Sequence, residues 1–188
     1  MKKFIKEKEF DKYFDQYWCN LKKEFFKCET LQLYNEPEEY QFLSLFKTGK
    51  FNQLHELLKE DIQRKGSVWN DAHRRKIDFI RVHVFSTPVS EYLKFEIEAY
   101  KIQSKIGGEK IWMVPQEILE EDIQDKLKDF MLFDNTLAII VEHNSKCNII
   151  GATLTDEEGD IKQLCKLKDC MVEKGIPINR FLTTYNQQ

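Results

Sequence analysis

The sequence predicts an α+β fold, a mainly antiparallel sheet packed with N-terminal and central helices. Three observations predict it. Apolar residues at helical spacing cluster early in the chain, and short β-rich runs cluster late. The late runs are joined by hairpin-like links rather than long crossovers. Between the two regions, Ile77 to Glu98 reads as one strand–turn–helix unit. Together these disfavour a doubly wound parallel sheet.

The bulk numbers fit that class. A chain of 188 residues suits one domain, 1–188, with a core of its own, and 41% hydrophobic with 32% charged residues fits a soluble protein. With only 7 Gly and 4 Pro, no linker or low-complexity stretch is expected. The formal charge of −3 gives no overall pull towards nucleic acid, which is not expected as a partner. The 5 cysteines show no C-x-x-C pair or zinc spacing, and the histidines no H-x-x-x-H. Reduced thiols, no metal and no cofactor are therefore expected. The N-terminal MKKFIKEKEF lacks the apolar core of a signal peptide, and no apolar run reaches spanning length. A cytoplasmic protein without membrane contact is expected.

In chain order, Phe10, Tyr13, Phe14, Tyr17, Trp18, Leu21 and Phe25 keep helical spacing, which predicts an amphipathic helix over about 8–25. Its aromatic stripe is read as core. Phe26 to Leu33 alternates loosely and predicts a strand, with a turn at Tyr34-Asn35-Glu36-Pro37 and a short helix through Phe46. Leu54, Leu57, Leu58 and Ile62 mark a helix ended by Gly66. Arg74, Arg75 and Lys76 form the one basic run, a candidate phosphate patch. After the central unit come a strand at Ile111 to Val114 and a partly helical acidic stretch, Glu117 to Lys128. Strands at Phe130 to Phe133, Leu137 to Glu142 and Ile149 to Leu154 predict a meander, and Ile161 to Val172 a final helix.

The central unit carries the chemistry. Its strand places Asp78, Ile80, Val82 and Val84 on one face and Ile77, Phe79, Arg81, His83 and Phe85 on the other. Ser86-Thr87-Pro88 is read as the helix entry, hydroxyl cap first and proline at the first helical position. The helix stripe of Val89, Tyr92, Leu93, Glu96, Ile97 and Tyr100 turns Glu96 inward. Glu96 thus reads either as a general acid or base raised by burial, or as half of a structural ion pair with Arg81. Arg81 reads as an anion clamp or as that partner. His83 beside Ser86 or Ser90, or His143 beside a cysteine, would make a nucleophile pair, but no nucleophile-elbow glycines flank the serines.

Arg81-Val82-His83-Val84, Ser86, Pro88, Ser90, Tyr92, Phe95 and Glu96 carry a resemblance. The stretch resembles a bacterial domain-of-unknown-function family with an R-x-x-V-x-S-x-P-x-S-x-Y-x-x-F-E core. Glu29-Thr30-Leu31 with Tyr34 and Pro37, Gly108-Glu109, and Asp129 to Asp134 extend it over about residues 20–175. Met131 stands where the family pattern has tryptophan, and the N-terminal helix is richer in lysine. The resemblance implies no reaction. It implies a neighbourhood of helix-turn-helix regulators, hence regulation, and a site drawn from Glu29, Tyr34, Arg81, Ser86, Ser90, Tyr92, Glu96, Glu109 and Asp134.

The leading expectation is a regulatory module that binds a small molecule or a protein in a polar pocket around Arg81 and Glu96. The alternative is a small transferase or hydrolase acting on a small or nucleotide-like substrate, with Glu96 as acid/base and Arg81 as anion clamp. A third is a nucleic-acid binder through Arg74, Arg75 and Lys76. The sequence sets no oligomeric state.

Overall fold

Eight strands build one sheet: β1 Lys2–Lys6, β2 Glu24–Glu29, β3 Asp78–Phe85, β4 Lys110–Pro115, β5 Phe130–Phe133, β6 Leu137–His143, β7 Ile149–Thr155 and β8 Ile176–Pro177. These come from a computed structural model that describes residues 2–35 and 39–185. Their order across the sheet is β1-β7-β6-β5-β2-β3-β4-β8. The pairings are antiparallel except β2–β3 and β3–β4. The mainly antiparallel α+β fold is therefore the one the chain adopts. The meander β5–β6–β7 falls where the apolar runs and their turn residues placed it.

The helices are α1 Phe10–Asn20, α2 Tyr40–Lys47, α3 Phe51–Gln63, α4 Val68–Arg75, α5 Glu91–Ile106, α6 Glu121–Gln124, α7 Glu158–Lys174 and α8 Ile178–Tyr185. One sheet face carries Phe26, Val82, Val84, Leu132 and Ala138 against Leu164, Leu167 and Met171 of α7. On the other face Trp18 of α1 meets Phe25 and Phe79, and Phe25 meets Phe133, in edge-on ring contacts. Further along that face, Leu93 and Ile97 of α5 and Phe181 of α8 cover Phe85, Ile111 and Met113. α3 lies outside α5, with Leu54 and Leu58 meeting Phe95 and Ile102. Among the described residues no helix is long and apolar enough to cross a membrane.

Several boundaries differ from the sequence reading, each for a physical reason. α1 ends at Asn20 because the next N–H groups leave the helix. Those of Lys22, Lys23 and Glu24 donate to the Asp134 carboxylate at 2.8, 2.7 and 3.0 Å. The strand consequently starts at Glu24 and stops at Glu29. α5 starts at Glu91 and its cap is Ser90, whose Oγ accepts from the Leu93 N–H at 3.0 Å. Thr87–Pro88 is a cis peptide in the preceding turn, not the first helical turn. Arg74 and Arg75 belong to α4, which the short polar sequence hid. Arg75 donates to the carbonyls of Trp18 and Leu21 and to Asp71, so it ties α1 to α4. The expected turn at Tyr34-Asn35-Glu36-Pro37 lies partly outside the described residues.

Candidate functional site

The parallel pairing of β2 with β3 sets Lys27 opposite Arg81 and Glu29 opposite His83. Alternation points all four to the face that carries Phe25 and Phe79, towards the carboxyl ends of both strands. A polar row therefore crosses the sheet between two apolar clusters.

Arg81 is 7% exposed, and a buried guanidinium needs carboxylate partners. Its Nη1 donates to both oxygens of Glu29 at 2.8 Å, and its Nε donates to Glu109 Oε1 at 2.6 Å. The other Glu109 oxygen accepts from Trp69 Nε1 at 2.7 Å. Gly107 permits that contact, because a Cβ there would sit 2.7 Å from the Trp69 ring. Lys27 lies 2.6 Å from Glu29 Oε1. Burial alone would raise the Glu29 carboxyl, but Arg81, Lys27 and His83 outweigh it and hold it well below its ordinary value.

Glu96 faces the same row from α5 and is 5% exposed. The expected ion pair with Arg81 does not form. Arg81 is taken by Glu29 and Glu109, and Glu96 forms no ion pair among the described residues. Burial first, then the Glu39 and Glu29 carboxylates, push Glu96 well above the ordinary glutamate range. Tyr92, Glu96, Ala99 and Gln103 follow helical spacing along α5 and line a cavity of ≈ 400 Å³. Its opposite walls include Lys27, Glu29, Arg81 and Trp69.

Behind Glu96 the hydrogen bonds fix a proton problem. His83 Nε2 lies 3.1 Å from the Leu31 carbonyl, which can only accept, so Nε2 carries a hydrogen. His83 Nδ1 lies 2.7 Å from the Tyr100 oxygen, and that hydroxyl also lies 2.8 Å from Glu29 Oε2. One phenolic hydrogen thus serves two neighbours, or His83 holds a second proton. Glu29, His83 and Glu96 place ligand atoms within 4.8 Å of one another, which is metal-binding spacing. The Glu29 oxygens, however, already serve Arg81, Lys27 and Tyr100. The set suits a shared proton better than a dication, which two neighbouring cations would repel.

Of the residues singled out from the sequence, the fold brings Glu29, Arg81, Glu96 and Glu109 together and lines the cavity with Tyr34 and Tyr92. Tyr34 donates to Asp129 at 2.7 Å, and Tyr92 to Glu39. Ser90 caps α5 and donates to the Gln32 carbonyl at 2.5 Å, so its hydroxyl is structural and forms no pair with His83. Ser86 sits in the turn, away from the cavity lining. Asp134 stands across the sheet at the β5–β6 hairpin with φ 52°, holding the β2 entry. His83, Tyr100, Lys27 and Gln103 were not selected as site residues. Strand alternation placed His83, and helix phase placed Tyr100, but nothing local signals Lys27 or Gln103. A second cavity, ≈ 450 Å³, shares Lys27, Glu29 and Tyr34 and adds Asp129 with His143 Nε2 at 3.9 Å.

A family model, described as a domain of unknown function (DUF6879), matches residues 9–183. No curated protein matches the chain. Solved structures that share the fold include two of low sequence identity. NucT from Helicobacter pylori superposes with a TM-score of 0.52 at 9% identity, over 94% of this chain and 98% of that one. TrmBL2, an archaeal chromatin protein described as showing a novel mode of DNA binding, gives 0.50 at 6% identity, over 93% of this chain. The chain spans 53% of TrmBL2. The expectation that nucleic acid is an unlikely partner is thereby corrected: it leaned on the net charge, and a DNA-binding chromatin protein is among the proteins of this fold.

Proposed function

The chain belongs to the DUF6879 family, a domain of unknown function, and from that premise we propose that it is a ligand-binding regulatory module. Its site is the ≈ 400 Å³ cavity between the sheet and the α3–α5 layer. Glu96 carries this reading: an acid buried to 5% exposure, without an ion partner among the described residues, opening into a cavity of small-molecule size. Burying such a group costs stability, and a ligand that satisfies it offsets that cost. The enzyme alternative loses its anion clamp, because Arg81 is neutralised by Glu29 and Glu109 before any substrate arrives.

The test is native mass spectrometry of protein taken from its own cell, beside the Glu96→Gln variant. A small molecule retained by the wild type and absent from the variant supports the reading. A wild type that carries nothing, and whose melting no metabolite shifts, sinks it.

A second reading is contact with nucleic acid, favoured by the fold shared with TrmBL2. Duplex DNA retarded in a gel, with affinity falling steeply as salt rises, would support it. No shift at low salt would remove it.

A further inference from the structure

We propose that the cavity takes an organic cation, an ammonium or guanidinium head on a chain-like molecule, which replaces the proton of Glu96. This rests on the cavity being a ligand site and names what it selects. The cations around the cavity already have their carboxylates: Arg81 has Glu29 and Glu109, Lys27 has Glu29, and Arg64 has Asp61 at 3.0 Å. An anionic ligand would have to break one of these pairs.

Glu96 stands outside that arrangement. It is faced by Glu29 from β2, Arg81 and His83 from β3, Glu39 from the turn before α2, and Tyr92 and Tyr100 from its own helix. Arg81 and Lys27 are already matched by Glu29 and Glu109. Ionising Glu96 alone adds an uncompensated buried charge, and Glu39 deepens the negative potential. An arriving cation restores the balance: the ligand enters charged, the Glu96 O–H bond breaks, and the proton leaves to solvent. No covalent bond to the ligand forms.

The walls suit such a head. Tyr92, Phe95 and Trp69 line the cavity, and aromatic rings attract cations. The far end asks for a donor. Gln103 Oε1 is buried without a hydrogen-bond partner, two turns from Glu96 on the same stripe, about 10 Å along the helix. Ala99 lies between them and leaves the path open. A linear diamine or polyamine carries the cationic head and the second N–H donor at that reach.

The experiment is calorimetric titration of the full chain near neutral pH, in buffers of different ionisation enthalpy. The probes are spermidine, putrescine and methylguanidinium, with inorganic phosphate, AMP and octanediol as anionic and neutral counterparts. The cations should bind with net release of protons. Glu96→Gln should weaken spermidine roughly 10- to 100-fold, while its unliganded melt stays no lower than that of the wild type. Gln103→Leu should weaken spermidine and spare methylguanidinium. Cation binding without proton release, or unaltered in Glu96→Gln, overturns the proposal. Binding of AMP or octanediol in preference to the cations overturns it too, yet leaves the cavity as a ligand site. If no probe binds and native mass spectrometry finds no retained molecule, both readings fall.

Discussion

The Tyr100 hydroxyl lies 2.7 Å from Nδ1 of His83, joining α5 to β3 beneath the cavity. Both side chains are fully buried, so neither has water as a substitute partner. Tyr100→Phe should therefore cost about 1–3 kcal/mol, because it strands the imidazole nitrogen and removes a donor from Glu29. Urea melts are the check, and a loss below about 0.5 kcal/mol would contradict the role given to this hydroxyl.

Arg81→Met should cost about 3–5 kcal/mol, since it leaves Glu29 and Glu109 as lone buried carboxylates. Adding Glu109→Gln should recover part of that loss. Coupling between Arg81 and Glu96 should be clearly smaller than between Arg81 and Glu109, because the first two do not pair. Double-mutant cycles from denaturant melts measure both, and the reverse order would refute the network.

The pH dependence follows from opposite shifts on neighbouring acids. Glu96 is raised in the folded protein, so its contribution to stability is full below its ordinary value of 4.5 and is lost as pH rises towards the folded value. Glu29 is lowered, so its contribution is present above 4.5 and lost as pH falls through its depressed value. Glu96→Gln, a neutral stand-in for the protonated acid, should match the wild type near pH 4.5 and become increasingly more stable above it. Melting curves across pH test this, and a variant less stable at neutral pH would show that ionised Glu96 supports the fold.

Asp134→Ala removes the acceptor for three β2-entry N–H groups. The expected loss is about 1–3 kcal/mol in urea melts. Ligand retention by the cavity should not change, because Asp134 does not line it. A lost ligand with an intact melt would place Asp134 back in the site.

What the sequence made legible was whatever local periodicity carries. The β5–β6–β7 meander, the inward phase of Glu96 and the shared face of Arg81 and His83 follow from repeats of two and of about three and a half residues. Pairing was not legible. Glu29 meets Arg81 across 52 residues of chain, and Glu109 reaches it from the α5–β4 turn. Only the register of parallel strands and the bend at Gly107 bring these together, and neither leaves a local mark. The Arg81–Glu96 pairing failed for the same reason: helix and strand phase show that each is buried, not which carboxylate stands nearer. Asp134 entered the expected site through the resemblance alone, and its partners at the β2 entry lie more than a hundred positions away, where no local pattern reaches.

The sheet ends at β1 on one side and β8 on the other, so strands remote in sequence form its two margins. β8 is two residues long, and β1 carries Lys2, Lys3 and Lys6 along an exposed edge, the two devices that discourage one sheet from adding to another. β1 also shields β7, laying the Phe4 ring over Gly151. A form of the protein trimmed past Lys6 would expose β7, an apolar strand of seven residues without a charged side chain. Such a form should self-associate through its backbone, so that the state of association then depends on Lys2–Lys6, a strand that lines neither cavity.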